Sequence, residues 1–399
     1  MDLTTIRKRL VKTGKMGGCV TEPLAELDAE LEVAISQESG KLESKQWLTE
    51  LRRGAGGLRS SNDFPALNVR QCARIENAIS HNPGLLLNFY VWLASGCLTT
   101  AFVMTQRSAA VRRIETSSNE STRETLLSSL RSGVAFATVG ISHLTTSRRH
   151  LSQPPLCALQ TSQGWLLEGF SPWVTGARFA DTLVVGAVET AHSKETESSK
   201  SRELLFAIPS NRLGLEIEPC GELMALNGSA TGPVRFCRVM ASKADVLHGP
   251  VENVMEVSSR KPETEVQRAS CNPKGGAGGL HTSALALGHA AQAIEYLLSE
   301  SRLRIELLPI AQGLRKQWEA TFGELCWMDR QHGPHDPVSI RKKANDLALN
   351  CTQAALVAAK GVGFTDGHDV GRWCREALFF LVWSCPQSVA QAHLCSFMS

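Results

Sequence analysis

At 399 residues the chain exceeds the size that one hydrophobic core supports, so two or three domains are expected. Hydrophobic residues at 43% and charged residues at 20% exclude the disordered, collagenous and disulfide-dense classes. With 42 basic and 39 acidic residues the net charge is +3, too weak a field to draw in nucleic acid, and Arg112-Arg113 and Arg148-Arg149 read as solvated faces.

Met1 to Lys15 is basic but lacks the apolar run and small-residue cleavage site of a secretory signal. Between Thr21 and Arg52 the residues Leu24, Leu27, Leu31, Val33, Ala34, Leu48 and Leu51 recur at helical spacing. The segments Val69 to Ile79, Gly84 to Ala94 and Thr99 to Ile114 repeat the pattern, so the first third is expected to be helical. The longest apolar run, Leu85 to Ala101, is broken by Asn88, Ser95, Gly96 and two threonines, and no membrane span is expected.

From Pro154 the texture changes to short apolar or alternating runs, at Leu156 to Leu159, Trp165 to Phe170, Leu183 to Val188, Leu204 to Ile208, Gly214 to Ile217 and Val234 to Val239. Turn chemistry separates them, as in Ser162-Gln163-Gly164 and Asn227-Gly228, which predicts a small antiparallel sheet, sandwich or barrel. His192 to Arg202 reads as an exposed hairpin loop, and Ser258 to Gly279 as a linker. Helical periodicity returns over Ala284 to Leu298, Leu303 to Phe322, Pro337 to Lys360 and Gly371 to Phe397. The expected class is α+β: an N-terminal helical domain over 1–130, a middle β-barrel or sandwich domain over 131–257, and a C-terminal four-helix-bundle domain over 258–399. Twelve cysteines without a C-x-x-C pair read as reduced thiols of a cytoplasmic protein.

The run Trp165-Leu-Leu-Glu-Gly-Phe-Ser-Pro-Trp173-Val-Thr175-Gly176-Ala-Arg-Phe-Ala-Asp181 resembles the β-domain signature of the acyl-CoA dehydrogenases. The order helices, small β domain, helical bundle is similar to that family as well. The resemblance implies FAD as cofactor, with the Trp173 indole beside the flavin ring and the Thr175 hydroxyl at its N5/O4 edge. Without it, the same pair reads as a buried hairpin Trp and a turn-forming Thr. Gly133 to Gly140 resembles the other flavin-contacting loop, with Phe136 and Thr138 at its aromatic and hydroxyl positions. The continuation Ile141-Ser142-His143-Leu144 departs from the family, leaving His143 open between a loop histidine and a substrate contact.

Leu223 to Val239 is similar to the family's stretch of small hydroxyl residues before the last β-domain strand. Gly361-Val-Gly363-Phe364 and Arg375-Glu376-Ala377 resemble its Gly-x-Gly turn and Arg-acid-Ala helix, and imply that Gly361 and Gly363 approach the adenosine diphosphate end of FAD across a subunit interface. Arg304 falls, by spacing from Gly288, near a family arginine that contacts the pyrophosphate, a role the resemblance implies although the flanking sequence departs from the family pattern. A homodimer or homotetramer follows from the resemblance, as do an acyl-CoA or similar substrate and an electron-transfer or reductase partner.

A dehydrogenase of this family removes an α-proton with a carboxylate while a hydride leaves to the flavin. The glutamate position near the C-terminus is occupied by Ser384, within Ser384-Cys385-Pro386. The alternative position, Gly278-Gly279-Leu280-His281, offers His281 as candidate base. Three readings stand: an oxidoreductase acting on the CH–CH bond of an acyl thioester with its glutamate replaced, a flavin-dependent monooxygenase of the same fold, and a non-catalytic flavin-binding member. Gly275 to Gly279 lacks the Lys-Ser/Thr of a phosphate loop, and His332-Gly-Pro-His335-Asp336 reads as a connection between helices rather than a metal site.

Overall fold

The computed structural model describes residues 33, 50–51, 53–55, 57–60, 62–80, 82–145, 154–190, 201–258, 280–331, 336–396 and 398. Most of the helical segment expected over Thr21 to Arg52, the hairpin loop after His192, the linker before Gly279 and the His332–His335 stretch lie outside the described residues. Four helices come first: α1 (Ala66–Ile79), α2 (Pro83–Gly96), α3 (Leu98–Glu115) and α4 (Glu120–Arg131). Asn82 starts α2 by accepting the Gly84 and Leu85 amides on its side chain, with Pro83 at the first helical position where a missing N–H costs nothing. α4 was not foreseen in the sequence, and its apolar face is reduced to the buried Leu127 and Leu130.

Eight strands follow, β1 (Ala137–Gly140), β2 (Leu156–Thr161), β3 (Gly164–Thr175), β4 (Thr182–Thr190), β5 (Glu203–Pro209), β6 (Leu215–Ile217), β7 (Thr231–Ala241) and β8 (Val246–Val251). They form one sheet in the order β6-β7-β3-β2-β4-β5-β8, with β1 beside β4. The antiparallel expectation needs correction, because β4 runs parallel to both β1 and β2. β1 and β8, too short or too polar to stand out in the sequence, complete the sheet. One sheet face closes on Leu156, Leu167, Val185, Phe206 and Phe236. Ala137 and Val139 of β1 pack instead against Ala110 and Ile114 of α3 and Leu130 of α4.

The C-terminal region consists of α5 (Leu280–Glu300), α6 (Leu308–Gln331), α7 (Pro337–Ala359), α8 (Asp369–Leu378) and α9 (Gln387–Ser396). The single helix expected from Gly371 to Phe397 is broken into α8 and α9. Ser384 at φ 45° and Pro386, which lacks an amide N–H, interrupt the helical ladder between them. α2, α3 and α5 to α8 share one core, in which Phe89, Leu93 and Phe102 meet Leu285, Leu287, Ala344 and Phe380. Close approach is built in at Gly288 of α5, where a Cβ would collide with Val91 O of α2. Pro337–Phe364 is long and apolar enough by composition to cross a bilayer, but here it packs within the bundle against α5, α6 and α8.

Candidate functional site

The Trp173 turn owes its shape to a bulge. β3 and β7 pair Ser171 with Val234 and then Val174 with Gly232, so Pro172 and Trp173 are opposed by a single residue. Pro172 has no N–H to give the ladder, and the extra residue re-aims its neighbours. Trp173 is consequently 51% exposed, whereas Val174 and Thr175 turn back into the interior. The indole is not a buried hairpin Trp. Thr175 Oγ1 lies 3.0 Å from Thr231 Oγ1, which lies 2.8 Å from Ser229 Oγ, and all three hydroxyls are buried. Gly176 then adopts φ 65°, and a Cβ there would stand 2.7 Å from the Phe64 ring and 3.1 Å from the Phe136 ring.

The two sequence motifs of the β domain are brought together by Asp181. Its carboxylate accepts the Phe136 amide at 2.8 Å, and its own amide donates to Phe136 O at 2.8 Å. The Phe136 ring tilts against Phe64 at 5.5 Å, and Phe64 stacks on Phe179 at 4.4 Å. Thr138 shares a strand face with Gly140, against which Ser171 Oγ rests. The hydroxyls of Thr138 and Ser171 are buried, and neither has a hydrogen-bond partner among the described residues. His143 sits on β4 through Nε2 and Gly186 O at 2.8 Å, and its Nδ1 has no partner among the described residues. Burial lowers its pKa more than the carbonyl raises it, so the ring is held neutral.

Gly361 and Gly363 lie in a 3-10 turn over Lys360–Phe364. Gly361 faces open space, whereas Gly363 is packed against Ala359 and Leu356. Val357, Val362 and Phe364 stand exposed around the turn. Arg304 reaches the same end of the bundle, donating to Ala358 O at 2.7 Å and pairing with Glu300 at 2.5 Å. In α8, Arg372 binds Glu376 at 3.1 Å and Asp369 at 2.9 Å. Burial opposes the Arg372 charge, but the two carboxylates outweigh it and raise its pKa. Glu376 is thereby a buried structural partner.

Ser384 closes the loop between α8 and α9. Trp383 beside it stacks on Phe379 at 5.3 Å and meets Phe102 edge-on at 5.0 Å. Among the described residues no carboxylate hydrogen-bonds to Ser384. His281 opens α5 with its ring 4.7 Å from the Tyr90 ring, and burial, with a smaller effect of Arg112, brings its pKa down to about 4. Beneath it lies a polar cluster that sequence reasoning missed: Glu76 accepts from Tyr90 OH at 2.8 Å and from Arg107 at 2.7 Å, and is also bonded by Ser108. The available signal was charge within apolar helices, Glu76 in α1 and Arg107 in α3.

No family model and no curated protein matches the chain by sequence. Solved structures do. Butyryl-CoA dehydrogenase from Megasphaera elsdenii is 15% identical with a TM-score of 0.70, covering 92% of this chain and 98% of that one. A glutaryl-CoA dehydrogenase in complex with glutaryl-CoA is similar at 15% identity and TM-score 0.69, over 92% of this chain and 93% of its own. Dibenzothiophene monooxygenase from Paenibacillus sp. A11-2 is similar at 16% identity and TM-score 0.67, over 92% and 95%. The chain has the fold of the acyl-CoA dehydrogenases.

Proposed function

We propose that the protein is an FAD-binding oxidoreductase on the acyl-CoA dehydrogenase fold, acting on the CH–CH bond of an acyl thioester, with Ser384 in place of the usual glutamate. The observation that carries this reading is the β3 bulge, which leaves the Trp173 indole outside and sets the Thr175 hydroxyl at one end of a hydroxyl chain.

The residues fit a flavin. A planar apolar ring is matched by a free indole face, and its acceptor edge by an O–H donor. Thr175, Thr231 and Ser229 hold three O–H groups but only two links join them, so one O–H remains to point out of the chain. Phe136 and Thr138 line the neighbouring strand, and the partnerless hydroxyls of Thr138 and Ser171 are further unmet hydrogen-bonding capacity. Gly361, Gly363 and Arg304 would meet the adenosine diphosphate end, where the open face of Gly361 admits a phosphate to its backbone. When bound, FAD would supply a hydride acceptor. The chain's own part is to orient the ring with Trp173, donate a hydrogen bond from Thr175 and exclude water with Phe102, Phe379 and Trp383.

A dehydrogenase needs a group to take the α-proton. Ser384 takes no proton unaided, and burial lowers the His281 pKa to about 4, so its imidazole is no more basic than an ordinary carboxylate and well below a free histidine. This same observation favours a second reading, a flavin-dependent monooxygenase, whose chemistry requires no α-proton acceptor. Its substrate would be aromatic or heterocyclic, with reduced flavin from a partner reductase. A non-catalytic flavin-binding member is the third. The exposed Val357, Val362 and Phe364 support a homodimer or homotetramer closing over the glycine turn, and cysteines such as Cys72, Cys97 and Cys351, buried as thiols, support a reducing, cytoplasmic setting.

The test is the visible spectrum of the purified protein before and after anaerobic addition of acyl-CoA thioesters. A flavin spectrum that bleaches supports the dehydrogenase. One that stays oxidised, with oxygen uptake on adding reduced flavin and an aromatic heterocycle, supports the monooxygenase. No flavin after FAD is supplied overturns the proposal.

A further inference from the structure

The bundle buries a guanidinium that no described carboxylate answers. Arg341, in the first turns of α7, is 1% exposed and heads the large, fully buried side chains. Its Nη2 donates to Trp383 O at 3.2 Å, while Nε and Nη1 have no hydrogen-bond partner among the described residues. The faces of Phe380 and Trp383 flank it, with ring centroids 6.0 and 5.8 Å from the guanidinium carbon. Asn345, one turn along the same helix face, donates from Nδ2 to Phe380 O and to His393 Nε2, each at 3.0 Å, and its Oδ1 is also buried without a partner among the described residues. The neighbouring Lys342 is committed to Asp346 at 2.5 Å and brings no second cation to the slot.

A carbonyl and two ring faces satisfy part of this group's geometry but supply no compensating charge, and an unpaired buried charge is strongly unfavourable. Burial brings the Arg341 pKa down to about 10, which still leaves it protonated at neutral pH. The covering loop, Trp383 to Pro386, is only half-buried and offers a way in from solvent. We propose that Arg341 is the receptor for a carboxylate group entering beside the Trp383–Pro386 loop. A flat monoanion matches a single guanidinium between two aromatic faces and accepts its N–H donors in pairs, whereas a tetrahedral dianion would call for more positive charge. This site stands on the helical bundle alone and does not depend on the flavin reading.

The Cys385 thiol is half-buried in that loop and lies within the field of Arg341, so it reports on the site. In the full-length protein, iodoacetate and iodoacetamide are compared at Cys385 by peptide mapping. In either reaction the thiolate sulfur forms a C–S bond as iodide leaves. The expected result is faster modification by iodoacetate, slowed by acetate but not by acetamide or by chloride at equal ionic strength. Arg341→Met should reverse the preference for iodoacetate, and Arg341→Lys should retain part of it. Iodoacetamide reacting as fast or faster in the unaltered protein, or acetate giving no protection, overturns the proposal. Lack of labelling by both reagents, with no acetate-dependent rise in melting temperature, overturns it as well. Where Arg341→Met does not fold, the comparison of acetate with acetamide decides. Glutaryl-CoA added as a further arm separates the two sources of a carboxylate: protection at lower concentration than acetate assigns it to a thioester substrate, and protection by acetate alone assigns it to a free small acid.

Discussion

Asp181 and Phe136 are joined twice, carboxylate to amide and amide to carbonyl, each at 2.8 Å, and this clasp ties the Phe136 strand to the Trp173 turn. Asp181→Ala should loosen the pair without unfolding the β domain, because the carboxylate is exposed and the backbone bond survives. The expected loss is about 1 kcal/mol of stability, with flavin affinity lowered several-fold. Fluorescence titration with FAD on the folded variant checks it, and unchanged affinity counts against the clasp as part of the site.

Trp173→Ala should act the other way round. Its half-exposed side chain contributes little to the core, so stability should change by less than about 0.5 kcal/mol. Flavin affinity should fall about tenfold as the aromatic face is lost. Full flavin occupancy in purified Trp173→Ala would sink the placement of the ring.

Ser384 carries φ 45°, a conformation that costs a residue with a Cβ. Ser384→Gly should therefore stabilise the fold by about 0.5–1 kcal/mol after the entropy of glycine in the unfolded chain is offset, measured by denaturant unfolding. Ser384→Glu tests chemistry instead. It should raise acyl-CoA dehydrogenation, and no gain argues for another substrate class.

The Arg107–Glu76 pair is buried, its side chains 3% and 12% exposed at 2.7 Å. Arg107→Met strands the Glu76 carboxylate and should cost about 3–5 kcal/mol. Adding Glu76→Gln should recover part of that loss. A double variant no more stable than the single would show that the carboxylate is not the stranded group.

His281 sets a pH dependence. Its pKa in the fold, about 4, lies below the ordinary histidine value of 6.5, so the unfolded chain takes up a proton that the folded chain refuses. Stability is complete above about pH 6.5 and declines as the pH falls toward about 4, by on the order of 2 kcal/mol given the ring's partial exposure. His281→Phe should flatten that slope in denaturation curves taken across the range, and an unchanged slope would assign the loss to other groups.

Local patterning made most of the helices, though not α4, and six of the strands legible, because a 3.6-residue or two-residue recurrence of apolar side chains reports which face is buried. The Trp-x-Thr-Gly run was legible too, since its residue types suit an aromatic face followed by a hydroxyl and a left-handed turn. Other features had no local signal. β1 has four residues, too few to establish a period, and is recognisable only by its partner β4. The break between α8 and α9 depends on Ser384 and Pro386 acting within an otherwise helical pattern.

The sequence by itself determined most of the helices, six of the strands and the order of the three regions, and its resemblance to a known family supplied the chemistry expected at Trp173, Thr175, Gly361 and Gly363. Only the tertiary structure decided which way those groups face. Trp173 is outside because β7 leaves β3 one residue in excess, Thr175 has a partner because Thr231 lies across the sheet, and Arg341 lacks one because no described acidic residue packs beside it. Each of these depends on residues far apart in the chain, where proximity is set by the packing of whole elements rather than by the spacing of their neighbours.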